Sequence, residues 1–325
     1  LPAQLLFYRF GFARLLRKLG IDAVLNLADI PIPVDVRQVY VFDWAFAVYP
    51  ESVAWQRMSV RDRCFKRIKL AVLRSFIQRP TVVAAQTPGI EKRLREMYGL
   101  ASTVTVPNAV DLPHDEGAVA VETLNDFSVG PQGPRLLYLT RYYPHKNLEI
   151  LLEVGRRVRD RELPFRFIVT LDASQGAGAR AFLRQIVEMN LSRVICNIGP
   201  VHGKQIRALF AAVDGLIMPT LLESFSGSYV EAMAFEKPIF TSQYDFAQDV
   251  CGDAAFYFDP LDAESILSTL GVGFSDPLKL RSKVVAGLER MSAFPTWPEA
   301  FQLYRQLLEG GSLNAADRGE VRAVS

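Results

Sequence analysis

Short runs of Val, Ile, Leu, Phe and Tyr alternate along this chain with longer stretches whose apolar residues recur every three or four positions. The runs at 23–27, 38–42 and 81–86 are bounded by turn residues, as buried parallel strands are. Helical periodicity separates them at 6–19, through a basic stretch around 57–78, and at 88–97. In the last of these Thr87 is a good N-cap and Pro88 takes the first helical position. A strand at 102–106 then runs into the turn-rich Pro107-Asn108-Ala109-Val110-Asp111.

From 135 onward the rhythm is cleaner. Strands at 135–140, 165–170, 194–198, 215–218, 238–241 and 255–258 alternate with helices at 147–161, 178–190, 203–212 and 227–235. Strands alternating with helices of ~10–15 residues imply βαβ units on a parallel sheet. Residues 113–134 are acidic and rich in Gly and Pro and read as a linker. The pattern therefore predicts an α/β protein of two Rossmann-like domains, 1–112 and 135–290, with a tail at 311–325 that has no pattern to order it. The length of 325 residues, above the size at which one core usually stops growing, agrees with two domains.

Composition excludes more than it selects. Hydrophobic residues at 50% and charged residues at 22% are ordinary for a globular protein, and a net charge of +2 gives no reason to expect nucleic acid. Cys64, Cys196 and Cys251 lie far apart and read as core or half-buried thiols of a reducing cytoplasm. His114, His145 and His202 are not at ligand spacing, so neither a metal nor another cofactor is expected. No run of 18 apolar residues spans a bilayer, and no secretory signal is present. The chain opens Leu1-Pro2, from which a missing start is expected.

Parallel α/β sheets bind ligands at the carboxyl ends of their strands, which singles out two loops. Thr140-Arg141-Tyr142-Tyr143-Pro144-His145-Lys146-Asn147 places two cations ahead of a helix, where backbone N–H groups and the helix dipole also favour an anion. Such a loop suits a diphosphate, though a solvated surface loop would read the same way. In the second loop, Glu223-Ser224-Phe225-Ser226-Gly227-Ser228 leads from an apolar strand into a helix that carries Glu231. Ser226, Gly227 and Ser228 leave backbone N–H groups accessible at the helix start. A carboxylate can hold a vicinal diol, so Glu223 and Glu231 are candidates for sugar or ribose hydroxyls; a plain first-turn glutamate is the alternative for Glu231.

Together these segments resemble the large retaining glycosyltransferase family 4, of GT-B fold. The likeness rests on two glutamates separated by seven residues in Glu223-Ser224-Phe225-Ser226-Gly227-Ser228-Tyr229-Val230-Glu231-Ala232-Met233-Ala234, followed by Lys237-Pro238-Ile239. The Arg141…Lys146-Asn147 loop and the segment Cys251-Gly252-Asp253-Ala254-Ala255 fall in the matching order, and the likeness covers roughly 20–305. It implies two Rossmann-like domains facing across a cleft, the first incomplete because the family's opening strand and glycine-rich loop have no counterpart. It also implies a terminal helix at 291–310, opened by Trp297-Pro298-Glu299, that returns to the first domain.

By the same resemblance, Arg141 and Lys146 neutralise a donor diphosphate, helped by backbone amides of Phe225–Ser228 in the segment Ser224, Phe225, Ser226, Gly227 and Ser228. Glu231 holds the ribose, Glu223 sits by the donor sugar, and Asp43 after its strand faces the acceptor. The implied activity is retaining, metal-independent transfer from a nucleotide-diphosphate sugar to a glycan or lipid-linked acceptor, in bacterial cell-surface polysaccharide synthesis. The alternative is a GT-B protein that binds nucleotide sugar without catalysis. One further stretch, 57–79, has Arg57, Arg61, Arg63, Lys66, Arg67, Lys69, Arg74 and Arg79 against Asp62 alone, with Met58, Phe65, Ile68, Val72 and Phe76 near one helical face. It reads as a core-packed helix with a solvated basic face, or as a peripheral surface for an anionic membrane. The expected location is accordingly the cytoplasm, either free or on the inner face of the membrane.

Overall fold

The computed structural model describes residues 7–109 and 133–312. Nearly all of the expected linker, and the tail from 313 on, lie outside the described residues. Two compact units result, one within Leu1–Val110 and Ala293–Ser325, the other within Asp111–Ser292.

In the first unit a π-helical turn, Phe7–Phe12, leads into α1 (Ala13–Leu19), which stops at Gly20 with φ 66°. There follow β1 (Ala23–Asn26), β2 (Arg37–Phe42), α2 (Val60–Phe76), β3 (Val82–Ala85), α3 (Pro88–Tyr98) and β4 (Thr103–Thr105). The four strands form a parallel sheet in the order β1-β2-β3-β4. Thr87 caps α3, its hydroxyl accepting from Ile90 N at 3.3 Å. Cys64 is exposed on α2, contrary to the buried or half-buried position expected of it; Cys196 is partly buried and Cys251 buried.

The second unit runs β5 (Arg135–Tyr138), α4 (Ile150–Asp160), β6 (Arg166–Val169), α5 (Ala177–Glu188), β7 (Ile195–Asn197), α6 (Ile206–Ala211), β8 (Gly215–Met218), α7 (Gly227–Ala234), β9 (Ile239–Ser242), α8 (Asp245–Cys251), β10 (Ala255–Phe258), α9 (Ala263–Ser275) and α10 (Pro277–Arg290). Its sheet is parallel throughout, ordered β10-β9-β8-β5-β6-β7. The chain thus builds outward from β5 in one direction, then crosses back to place β8 on the other side of β5. That makes the β5/β8 junction a topological switch point, where connections leave in opposite directions and open a crevice.

Three of the helices in this unit, α8, α9 and α10, have no counterpart in the elements the periodicity predicts. Gly271 and Gly273 make α9 read as a broken pattern, yet Gly273 is there for packing. A Cβ at that position would lie 2.5 Å from the Phe240 ring, which stacks on Phe256 and Phe274. The last described helix, α11 (Trp297–Leu308), opens with a Thr296/Glu299 capping box. Leu303, Tyr304, Leu307 and Leu308 pack it against Val39, Val82, Ala84, Val104 and Val106 of the first sheet, and Arg37 Nε donates to Leu307 O at 2.8 Å. Because the Phe240 ring cannot retreat within its stack, Gly273→Ala is expected to cost about 1–3 kcal/mol, read as a lowered urea midpoint with unchanged m-value.

Candidate functional site

The two candidate loops leave the sheet side by side because β5 and β8 are neighbours. In the first, Pro144–Lys146 form a single 3-10 turn and Asn147 adopts the left-handed conformation at φ 54°. α4 therefore begins at Ile150 and not at 147 as the periodicity predicted. Asn tolerates this conformation better than most residues because its short amide can bond locally. Here the amide reaches further: Nδ2 donates to Pro219 O at 3.1 Å and to Pro260 O at 2.8 Å, with the residue almost fully buried. One side chain thus ties the loops after β5, β8 and β10 together.

That tie brings Lys146 to Glu223. The Lys146 ammonium donates to Glu223 Oε1, and the two side chains are only 15% and 10% exposed. Thr220 Oγ1 donates to the same oxygen at 2.9 Å, and Leu221 N donates to His145 O at 2.8 Å. Tyr138, fully buried on β5, donates its hydroxyl to Lys146 O at 2.6 Å; burial, then the Glu223 charge, pushes its own ionisation well up. With Oε1 shared by two donors, Glu223 Oε2 remains available to accept from a hydroxyl.

Glu231 stands in α7, one turn past its start, and is partly buried. Its carboxylate has no hydrogen-bond or charge partner among the described residues, and burial alone raises its pKa. Ser226, at the start of α7, turns its hydroxyl to Met218 Sδ at 4.0 Å and makes no side-chain bond to the helix backbone, so among the described residues the first-turn N–H groups of Gly227 and Ser228 carry no side-chain cap. Ser224 and Phe225 lie in the loop that leads there from Glu223.

Arg141 is exposed and lines an open cavity of about 380 Å³ at the carboxyl ends of β5, β6 and β7, together with Thr140, Thr170, Asp172, Gln175 and Pro200. The cavity walls are stitched to each other. Thr140 N donates to Thr170 Oγ1 at 3.0 Å, Tyr142 N to Gln175 Oε1 at 2.8 Å, and Leu171 N to Asn197 Oδ1 at 2.8 Å. Thr170 and Asp172 thereby form a wall of this cavity.

Asp43 belongs to the first unit, directly after β2. Burial by its neighbours, then the Asp29 carboxylate, raises its pKa, although the residue is more than a third exposed. Lys69, paired with Asp29 at 2.5 Å, offsets part of this.

This arrangement sits on a recognisable frame. Residues 133–271 match the family model of glycosyl transferases group 1. Among curated proteins the chain is similar to a 2-deoxystreptamine glucosyltransferase of Streptomyces kanamyceticus, 30% identical over 190 residues, 57% of this chain and 48% of that protein. The chain thus spans about half the length of that relative, and less of a trehalose synthase of Thermococcus litoralis, 24% identical over 46% of this chain and 39% of that one. Among solved structures, sucrose-phosphate synthase of Thermosynechococcus elongatus superposes with a TM-score of 0.73 at 19% identity, over 94% of this chain and 79% of that one. The fold is therefore GT-B, with two parallel-sheet α/β units.

Sequence reasoning singled out Arg141, Lys146, Glu223 and Glu231 but did not foresee that Lys146 and Glu223 pair. Nor did it find the Asn147 clamp, whose only sequence signal is an Asn directly after the lysine. Asn147→Gly keeps the left-handed backbone but leaves two buried carbonyls unpaired, so a loss of about 2–4 kcal/mol is expected in urea titrations. Asn147→Ala, which adds backbone strain, is expected to lose more.

Proposed function

We propose that this chain is a retaining, metal-independent glycosyltransferase that moves a sugar from a nucleotide-diphosphate sugar to a glycan or lipid-linked acceptor, in bacterial cell-surface polysaccharide synthesis. The observation that carries this reading is the Lys146–Glu223 pair at the β5/β8 switch point, between the Arg141 cavity and the uncapped start of α7. A lysine has three N–H donors; one is engaged by Glu223, and the others can serve phosphate oxygens.

In this scheme Arg141, Lys146 and the first-turn amides of α7 stabilise the diphosphate as its bond to the sugar breaks. Charge developing on a leaving group is where fixed donors contribute most to rate. Glu223 Oε2 accepts from a hydroxyl of the donor sugar while Oε1 holds Lys146 in place. Glu231 accepts from the two ribose hydroxyls, giving a partly buried carboxylate the partners it lacks among the described residues. Asp43 is assigned to the acceptor.

Two measurements test the donor side. A thermal-shift screen of UDP-, GDP- and ADP-sugars is expected to show stabilisation by sugars of one base. Arg141→Ala and Lys146→Ala should each cut transfer by ~10²-fold or more, the scale of a lost oxyanion donor. Stabilisation by donor with no transfer would leave a binding protein; near-normal transfer by both variants would overturn the scheme.

Glu231 gives a test with a sign. Its folded pKa is raised, so the neutral form is favoured in the fold, and the stability this contributes is lost as pH rises through the folded value. Glu231→Gln should therefore raise Tm more at pH 8 than at pH 4, while weakening donor binding roughly tenfold or more by removing a charged acceptor. A Tm gain with unchanged donor affinity would remove the ribose role.

A further inference from the structure

α2 is turned inside out for a surface helix. Val60, Cys64, Ile68 and Ala71, spaced four, four and three apart, form one stripe along it, and all four are exposed. Phe65 lies beside the stripe. The large members are far from buried: Val60 is 76%, Phe65 52% and Ile68 56% exposed. Exposed Arg67 and Arg74 flank one side of the stripe, and exposed Arg61 stands on the other, near Phe65. The face directed at the protein holds the buried Leu73 and two lysines.

Those lysines explain the orientation. Lys69 pairs with Asp29 at 2.5 Å and lies 4.3 Å from the Trp44 ring centre, and Lys66 lies 4.3 Å from that of Phe46. Rolling the helix to bury Phe65 and Ile68 would break these cation–π contacts and the ion pair. Of the residues expected on one apolar face, only Met58 is buried; Val72 and Phe76 are half-buried. The core-packed reading of this stretch with a solvated basic face is thus corrected: the outward face is an apolar stripe with an arginine rim.

Scattered apolar side chains on a surface need no explanation, but a continuous stripe with a one-sign rim does. Among the described residues no carboxylate lies within ion-pair distance of Arg57, Arg61 or Arg67, and the lone acid of the helix, Asp62, is held at its first turn by Ser59. We infer that this face docks the first unit on an anionic phospholipid bilayer. Phe65, Ile68 and Val60 would enter the boundary between headgroups and acyl chains, with the arginines on lipid phosphates. A second copy of the chain is a poorer occupant, since pairing two such faces would bring their arginine rims together. No described helix is long and apolar enough to cross a membrane.

The test uses the full chain and vesicles of phosphatidylcholine, alone or mixed with phosphatidylglycerol. Co-sedimentation is expected with the mixed vesicles only, and weaker in high salt. Arg61→Glu/Arg67→Glu should lower the partition coefficient by roughly 25-fold or more, taking about fivefold per arginine near the surface. Phe65→Ser/Ile68→Ser should lower it by roughly tenfold or more, through lost apolar burial. An environment-sensitive dye on Cys64, with Cys196→Ser, should shift to the blue on mixed vesicles. Equal partition into both vesicle types, or binding indifferent to both double variants, overturns the proposal. So does a dimer in sedimentation velocity that Phe65→Ser/Ile68→Ser dissociates, which would make the occupant a second copy. Nucleotide-sugar thermal shifts should be unchanged in these variants, so failure here is distinct from failure of the donor reading.

Discussion

Everything proposed for the second unit depends on how the carboxyl edge of its sheet is held. Where parallel strands end, their ladder ends too, and the loops that follow must find other partners for their backbone groups. Here side chains supply them in a continuous row. Asn197 serves Leu171, Thr170 serves Thr140, Asn147 serves Pro219 and Pro260, and Ser242 donates to Thr220 O at 2.6 Å. The result is an edge with fixed loop positions. A buried ion pair such as Lys146–Glu223 holds its geometry only if the groups around it are equally fixed.

The row also separates two kinds of charge. Lys146 and Glu223 hold each other in place through Oε1, with Thr220 adding a further hydrogen bond, which leaves Oε2 and the remaining lysine donors for a ligand. Glu231 and Arg141 are held more loosely: one is a partly buried carboxylate without a partner among the described residues, the other an exposed guanidinium on the wall of a cavity. Charges left in such states are the ones a ligand can satisfy, and their signs match the hydroxyl and phosphate groups of the proposed donor.

The first unit uses its charges differently. Lys66 and Lys69 are spent on Trp44, Phe46 and Asp29, and this fixes the roll of α2. The same contacts that satisfy the inward cations leave Phe65 and Ile68 outside. An apolar surface of this kind is a consequence of local packing choices and cannot be assigned from helical periodicity, because both faces of the helix carry apolar and basic residues.

Much of the architecture was legible in the sequence because a buried parallel strand must be apolar on both faces and a surface helix must repeat near 3.6. Those constraints located all ten strands of the described residues and most of their helices. They failed at α9, where Gly273 is required by an aromatic ring from β9, and at the start of α4, where Asn147 turns left-handed to reach two other loops. The loops with Arg141, Lys146, Glu223 and Glu231 were legible too, since charge at a strand's carboxyl end is a local pattern. What the sequence could not determine was strand order. Only the placement of β8 beside β5 sets the two loops at one switch point and turns two separate charges, 77 residues apart, into one ion pair.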